Sequence, residues 1–270
     1  MAHRGGSRLA PENTMVAFRQ AIEDWGADVL EMDVRLTADG RVVVIHDPTV
    51  DRTTDGVGVV RQMRWTDVAA LDAGYRFRDL RGGHSWRGRG VAIPLFEEVL
   101  DAFPSARINV ESKVPEAAGP LMELVVSRQA EHRVLIAAEH EPTRSGARGY
   151  RGPWGASRRQ VIPFWLANRL RWLGLRWFPP VDAFQVPETA GMLRVVSPAF
   201  VRMAHRANVP VHVWTVDEPA DMHRLLDWGV DGIQTDRPDV LARVLTERTG
   251  RPPAPVVRRA AGWDGSGGGS

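Results

Sequence analysis

The chain has 270 residues, 43% of them hydrophobic and 25% charged, with no cysteine and a formal net charge of +2. That length suits one barrel-sized domain with a large buried core, and the composition is that of an ordinary globular protein. The lack of cysteine excludes disulfides, thiolate metal sites and cysteine nucleophiles, and so small a positive surplus is no footprint of a nucleic-acid binder. All but one of the 35 basic residues are arginine, which holds the isoelectric point near 9.6 despite the near-neutral balance. No apolar run reaches the roughly 20 residues of a membrane-spanning helix, and no basic-then-apolar leader opens the sequence. A soluble cytoplasmic protein without stable membrane insertion is expected.

Only Met1 and Ala2 precede His3, so the first extended segment is very short and could hold His3 loosely. Thr14 to Trp25 has the spacing of an amphipathic helix, with Asn13 or Thr14 as cap and Gly26 as stop. Strands are expected at 27–34 and 41–46. Residues 48–94 show little helical patterning and many glycines, as a small cap inserted over a barrel mouth would. Helix, strand, helix and strand follow at 95–103, 106–112, 116–129 and 133–138. Helices are expected around 142–148 and 165–175, then a strand at 181–186 and a helix opened by Ser197-Pro198. Segments 209–216, 219–228, 230–235 and 238–248 complete the alternation as strand, helix, strand and helix.

Repeated strand–helix units imply parallel strands with helical crossovers. Counting the segment at His3, eight strands are available. An α/β fold of the (β/α)8 TIM-barrel type is therefore expected, with a small insertion after the third strand. The domain spans 1–250, with 48–94 as the insertion, and a Pro-, Arg- and Gly-rich flexible tail occupies 251–270. Asp24-Trp25-Gly26-Ala27-Asp28 is echoed by Asp227-Trp228-Gly229-Val230-Asp231. Each reads as a helix end, a glycine stop and a strand entry, as barrel repetition or any helix-to-strand turn would give.

Alternation along the strands puts chemistry on one side. Glu31 and Asp33 share a face while Leu30, Met32 and Val34 share the other. The apolar set belongs against the helices, so the carboxylates point inward at the strand's C-terminal end, where such barrels build their sites. The same phase turns Val44 and His46 inward, then Asn109, Glu111 and Lys113, then His212 and Trp214. Three inward carboxylates (Glu31, Asp33 and Glu111) raise one another's pKa unless a cation joins them. Oxygen-only ligation suits one hard divalent ion, Ca²⁺ or Mg²⁺. The alternative is a salt-bridged network with Arg4, Arg35 or Lys113.

Histidine as a residue type ionises near neutrality, so His3 and His46 suit a general acid and base. Arg4 offers a planar fork for phosphate oxygens, or a partner for Glu31 or Asp33. Lys113 is the only lysine in a chain that otherwise uses arginine, which points to a place where a compact ammonium is needed. Three features read blandly. The tryptophan-rich segment 164–178 could touch a membrane, but Leu166, Leu170, Leu173 and Trp177 fit an ordinary barrel helix. Asp236 reads as a cap of the last helix, and the acidic loop from Asp47 to Asp55 lacks the register of a calcium-binding EF-hand.

His3-Arg4-Gly5, Pro11-Glu12-Asn13-Thr14, Glu31-Met32-Asp33, His46-Asp47, Asn109 to Lys113, Val213 to Val216 and Asp231 to Asp236, in that order, resemble the glycerophosphodiester phosphodiesterase family from residue 1 to about 248. The resemblance implies a barrel in which Glu31, Asp33 and Glu111 hold the metal and His3 and His46 form the acid–base pair. It also implies that Arg4 and Lys113 bind phosphate and that Trp214 lines a glycerol pocket. The implied reaction is metal-dependent hydrolysis of a small glycerophosphodiester to sn-glycerol 3-phosphate and an alcohol. Two alternatives stand beside it. One is a lysophospholipase D or sphingomyelinase D-like activity on the same scaffold, and the other is a barrel that binds metal or phosphodiester without turnover.

Overall fold

In the computed structural model, which describes residues 1–170 and 178–261, parallel strand pairings run in a closed circuit. The elements in chain order are α1 (Met15–Glu23), β1 (Val29–Leu36), β2 (Val42–Val44), α2 (Trp65–Ala69), α3 (Phe96–Ala102), β3 (Arg107–Ser112), α4 (Pro115–Ser127), β4 (Val134–Ala137) and α5 (Glu141–Arg144). Then come α6 (Arg158–Arg169), β5 (Phe184–Pro187), β6 (Thr189–Ala190), β7 (Leu193–Arg194), α7 (Pro198–Arg206), β8 (Val211–Trp214), α8 (Pro219–Asp227), β9 (Gly232–Ile233), α9 (Pro238–Thr249) and α10 (Pro255–Ala260). Ala2 bridges Leu30 in parallel, β1 pairs with β3 and β3 with β4. Ile136 then bridges Trp154, and Gly155 bridges Ala183 just before β5. β5 pairs with β8 and β8 with β9, and Thr235 bridges back to Ala2. Among the described residues this is an eight-stave α/β barrel.

The circuit corrects two details of the expected strand count. Segment 41–46 is not a stave, because β2 runs antiparallel to β1 with Val34 opposite Val44. The link from Leu36 to Val42 is far too short for the helical crossover that parallel neighbours require. The stave missing from the sequence reading is Trp154-Gly155, held by Gly155 N–H to Ile136 O at 3.0 Å and Ala156 N–H to Ala183 O at 2.9 Å. It is so short, and so crowded by Gly149, Gly152 and Pro153, that it reads as loop.

The first stave is equally short but firmly held. Ala2 N–H donates to Val29 O, Glu31 N–H to Ala2 O and His3 N–H to Thr235 O, at 2.9–3.0 Å. His3 is therefore pinned by both neighbouring staves rather than loosened. The echoed turns both carry glycine in the left-handed region, Gly26 at φ 63° and Gly229 at φ 85°, where a Cβ would be strained.

Leu30, Met32, Val34, Ile108 and Val110 pack outward against Phe18, Phe96, Leu100, Leu121 and Val125 from the helices. At about 25 cal/mol per Å² this burial is the main force setting strand phase, and it leaves the alternate side chains of β1 and β3 facing the barrel axis. A separate cluster joins Val43 and Ile45 to Val50, Val60, Val68, Val91 and Ile93, so β2 packs with the residues that follow it. Helix α10 lies in the region read as flexible tail. Arg251 forks onto Asp28 at 2.7 and 2.9 Å, and Val256 N–H donates to Asp24 O at 3.0 Å. The terminal Gly/Ser run, and residues 171–175 of the helix expected at 165–175, lie outside the described residues.

Candidate active site

All eight residues singled out in the sequence line one cavity of about 640 Å³: His3, Arg4, Glu31, Asp33, His46, Glu111, Lys113 and Trp214. Backbone pairing brings them together. Asp33 on β1 sits directly opposite Glu111 on β3, and Ile45 N–H donates to Asp33 O at 2.9 Å, which delivers the next residue, His46, to the same place. Arg35 Nε donates to His46 O at 2.8 Å and holds that backbone from the other side. Trp214 ends β8 at the mouth, 38% exposed. His212, in phase with Trp214, does not line the cavity and lies deeper, beside Gly232.

The carboxylates meet cationic groups unevenly. Lys113 Nζ lies 2.9 Å from Asp33 Oδ1 and 2.7 Å from Glu111 Oε2. Arg4 Nε lies 3.1 Å from Asp33 Oδ2, and Asn13 Nδ2 donates to the same oxygen at 3.1 Å. Burial alone would raise Asp33, but Lys113, Arg4 and His46 outweigh it and hold its carboxyl below the usual range. Glu31 differs. It accepts Arg4 N–H at 2.8 Å, and its nearest charged partner is His3 Nε2 at 3.9 Å. Burial, with Asp33 beside it, pushes Glu31 up to about 7.

Each histidine leans on a carboxylate. His3 Nδ1 lies 2.6 Å from Asp236 Oδ1, and His46 Nδ1 lies 2.7 Å from Asp47 Oδ1. Burial would lower His3, yet Glu31 and Asp236 raise it above its ordinary value. Arg52 Nε donates to Asp47 at 2.5 Å and, together with His46, holds that carboxyl down to about 2. The same guanidinium clamps Glu12 at 2.7 and 2.8 Å, and Glu12 accepts from Arg4 at 3.0 Å. A continuous chain of charge-assisted contacts thus links His46 to Arg4 and fixes the ring's orientation. Arg4 and Asn13 adopt φ 50° and 58°, a conformation unusual for side chains larger than glycine that these contacts maintain.

Asp236 corrects its reading as a helix cap. The residue at the start of α9 is Arg237, with no side-chain cap, while Asp236 turns to His3. Asp217 supports it, accepting Asp236 N–H at 2.8 Å and the Thr235 hydroxyl at 2.9 Å. Glu12, Asp47 and Arg52 had no assigned role from sequence. The signal for Glu12 and Asp47 lay in the quoted motifs, Asp47 directly after His46. Leu166 and Leu170 correct a second reading, since they are exposed rather than buried in the barrel wall, and Leu173 and Trp177 lie outside the described residues.

Glu31, Asp33 and Glu111 all line the cavity and offer only oxygen donors, and among the described residues Glu31 is a buried carboxylate with no ammonium or guanidinium side chain within 4 Å. That chemistry fits a hard divalent cation. Among the described residues no three carboxylate or imidazole groups are gathered as a ready ligand set, and Lys113 stands between Asp33 and Glu111.

The sequence profile of the glycerophosphoryl diester phosphodiesterase family matches residues 3–145 and 164–240. A relative from Mycobacterium tuberculosis, named "Probable glycerophosphodiester phosphodiesterase 2", is 36% identical over 92% of this chain and 90% of its own length. A mouse protein named lysophospholipase D GDPD1 is 27% identical over 91% of this chain and 85% of its own. A crystal structure of a glycerophosphodiester phosphodiesterase from Agrobacterium tumefaciens superposes with a TM-score of 0.70 at 26% identity, over 88% of this chain and 96% of that one. The barrel, the cavity and these likenesses agree: the chain belongs to the glycerophosphoryl diester phosphodiesterase family.

Proposed function

We propose that this chain hydrolyses glycerophosphodiesters to sn-glycerol 3-phosphate and an alcohol, with His3 and His46 as the proton-transfer pair. The observation that carries the reading is the meeting of both imidazoles, Arg4, Lys113 and three carboxylates in one cavity. Glu31, Asp33 and Glu111 would hold a divalent cation, which when bound neutralises phosphate charge and acidifies a nearby hydroxyl. Arg4 and Lys113 present cationic N–H groups to phosphate oxygens. One imidazole takes the proton of the glycerol 2-hydroxyl as that oxygen bonds to phosphorus, and a water later opens the resulting cyclic phosphate to glycerol 3-phosphate. The phosphorus–oxygen bond to the alcohol breaks, and the other imidazole protonates the departing oxygen. Asp236 and Asp47 hold the two rings in the orientation this exchange needs.

A second reading rests on the apolar part of the cavity lining, where Val161, Ile162, Trp165, Leu166, Leu193 and Val195 offer surface to an acyl chain. On that reading the substrate is a lysophospholipid. Turnover of glycerophosphocholine, glycerophosphoethanolamine and lysophosphatidylcholine, each with and without chelator, separates the two. Chelator-sensitive release of glycerol 3-phosphate supports the first reading, and preference for the lysophospholipid supports the second. No turnover of any of them overturns both.

A further inference from the structure

Large apolar side chains gather on one side of the cavity mouth. Helix α6 presents Ile162 and Leu166, and Leu170 follows at its C-terminal cap; they are 55%, 45% and 37% exposed. Their spacing of four residues makes one ridge, while Phe164 and Ala167 bury the opposite face. The β6–β7 hairpin adds Met192, fully exposed at its tip, and Leu193. Trp165 Nε1 and Arg169 tie α6 to this hairpin, both donating to Arg194 O, at 3.1 and 3.3 Å. Because Ile162, Leu166 and Leu193 also line the cavity, the exposed ridge continues inward as its apolar wall.

The charges around this patch have one sign available. Arg158 is paired with Glu139. Arg159, Arg169 and Arg194 have no carboxylate partner among the described residues; Arg169 and Arg194 lie over the rings of Trp165 and Trp228 instead. Exposed apolar residues are ordinary when scattered, but five around one opening, edged by arginine, mark an interaction surface. Apolar centre with cationic edge is the composition that partitions into the headgroup region of an anionic bilayer.

We propose that this rim docks on the surface of a bilayer containing anionic lipid, with Met192 and the Ile162–Leu170 ridge at headgroup depth and the cavity mouth turned toward the lipid. Among the described residues no helix is long and apolar enough to cross a membrane, so this attachment is peripheral. It concerns binding alone and stands apart from which diester the site cleaves.

Co-sedimentation of the full chain with phosphatidylcholine vesicles, with and without phosphatidylglycerol, tests it. The chain should pellet with the phosphatidylglycerol vesicles and be released by salt. Met192→Asp should weaken partitioning about tenfold or more, and Arg159→Glu, on a different element, about fivefold. Neither residue lines the cavity, so both variants should keep the wild-type melting temperature and solution turnover. If Met192→Asp fails to fold, Arg159→Glu decides alone. A chain that stays in the supernatant with both vesicles, or variants that pellet like the wild type, would overturn the proposal. So would a dimer abolished by Met192→Asp, which would make a second copy the occupant.

Discussion

Replacing Asp236 with asparagine removes one negative charge from the side of His3 while keeping the side chain's shape. The contact it disturbs is 2.6 Å long, and both side chains are largely buried, at 16% and 20% exposure. A hydrogen bond to a charged group contributes about 1.5–3 kcal/mol. If the imidazole carries charge in the transition state, its loss lowers kcat/KM by about tenfold to a hundredfold. Asp236 and Glu31 together raise the His3 pKa against the effect of burial. Without Asp236 the protonated ring is less favoured, so the limb of the pH–rate profile governed by His3 moves to lower pH. Initial rates of glycerol 3-phosphate release across the imidazole range measure both effects, and a thermal melt checks the fold. Unchanged kcat/KM with both limbs in place would refute the assignment of Asp236 to His3.

Three further outcomes are expected. Removing divalent ions by chelation should abolish turnover, and adding Ca²⁺ or Mg²⁺ should restore it and raise the melting temperature; activity that survives exhaustive chelation contradicts the carboxylate reading. Lys113→Arg places a wider guanidinium where an ammonium now sits 2.9 and 2.7 Å from two carboxylates, and kcat should fall about tenfold or more; kinetics matching the wild type would count against the choice of lysine. His212, lowered from 6.5 to about 4 by burial and the N-terminal ammonium, stays neutral in the fold while the unfolded chain protonates. As pH falls from about 6.5 to about 4 this one group should therefore cost the fold about 3 kcal/mol, and none of its contribution is lost above that window. His212→Leu should flatten this part of the denaturation midpoint's pH dependence, and an unaltered slope would assign the loss elsewhere.

Much of the site was legible because strand alternation is a physical code. Leu30, Met32 and Val34 must meet the helices, so Glu31 and Asp33 cannot, and Asn109, Glu111 and Lys113 follow the same rule on the neighbouring stave. What stayed hidden depended on pairing partners that alternation does not reveal. The apolar run at 41–46 fits a stave and a hairpin return equally well, and only the short link before it decides. Trp154-Gly155 makes a stave from two residues, too few for any periodicity. Asp236 sits just before a helix, where a cap and a histidine partner have the same spelling. Leu166 shares a helix with Phe164 and Leu170 caps its end, and periodicity alone does not say which of two apolar faces meets the core.

The central claim is that two imidazoles from distant parts of the chain move protons at one phosphodiester. Its most direct test is glycerol 3-phosphate release from glycerophosphocholine by the wild type, His3→Ala and His46→Ala at equal divalent-ion loading. The account predicts a loss of about a hundredfold or more in each variant with the melt preserved. Turnover in either variant close to that of the wild type would contradict it.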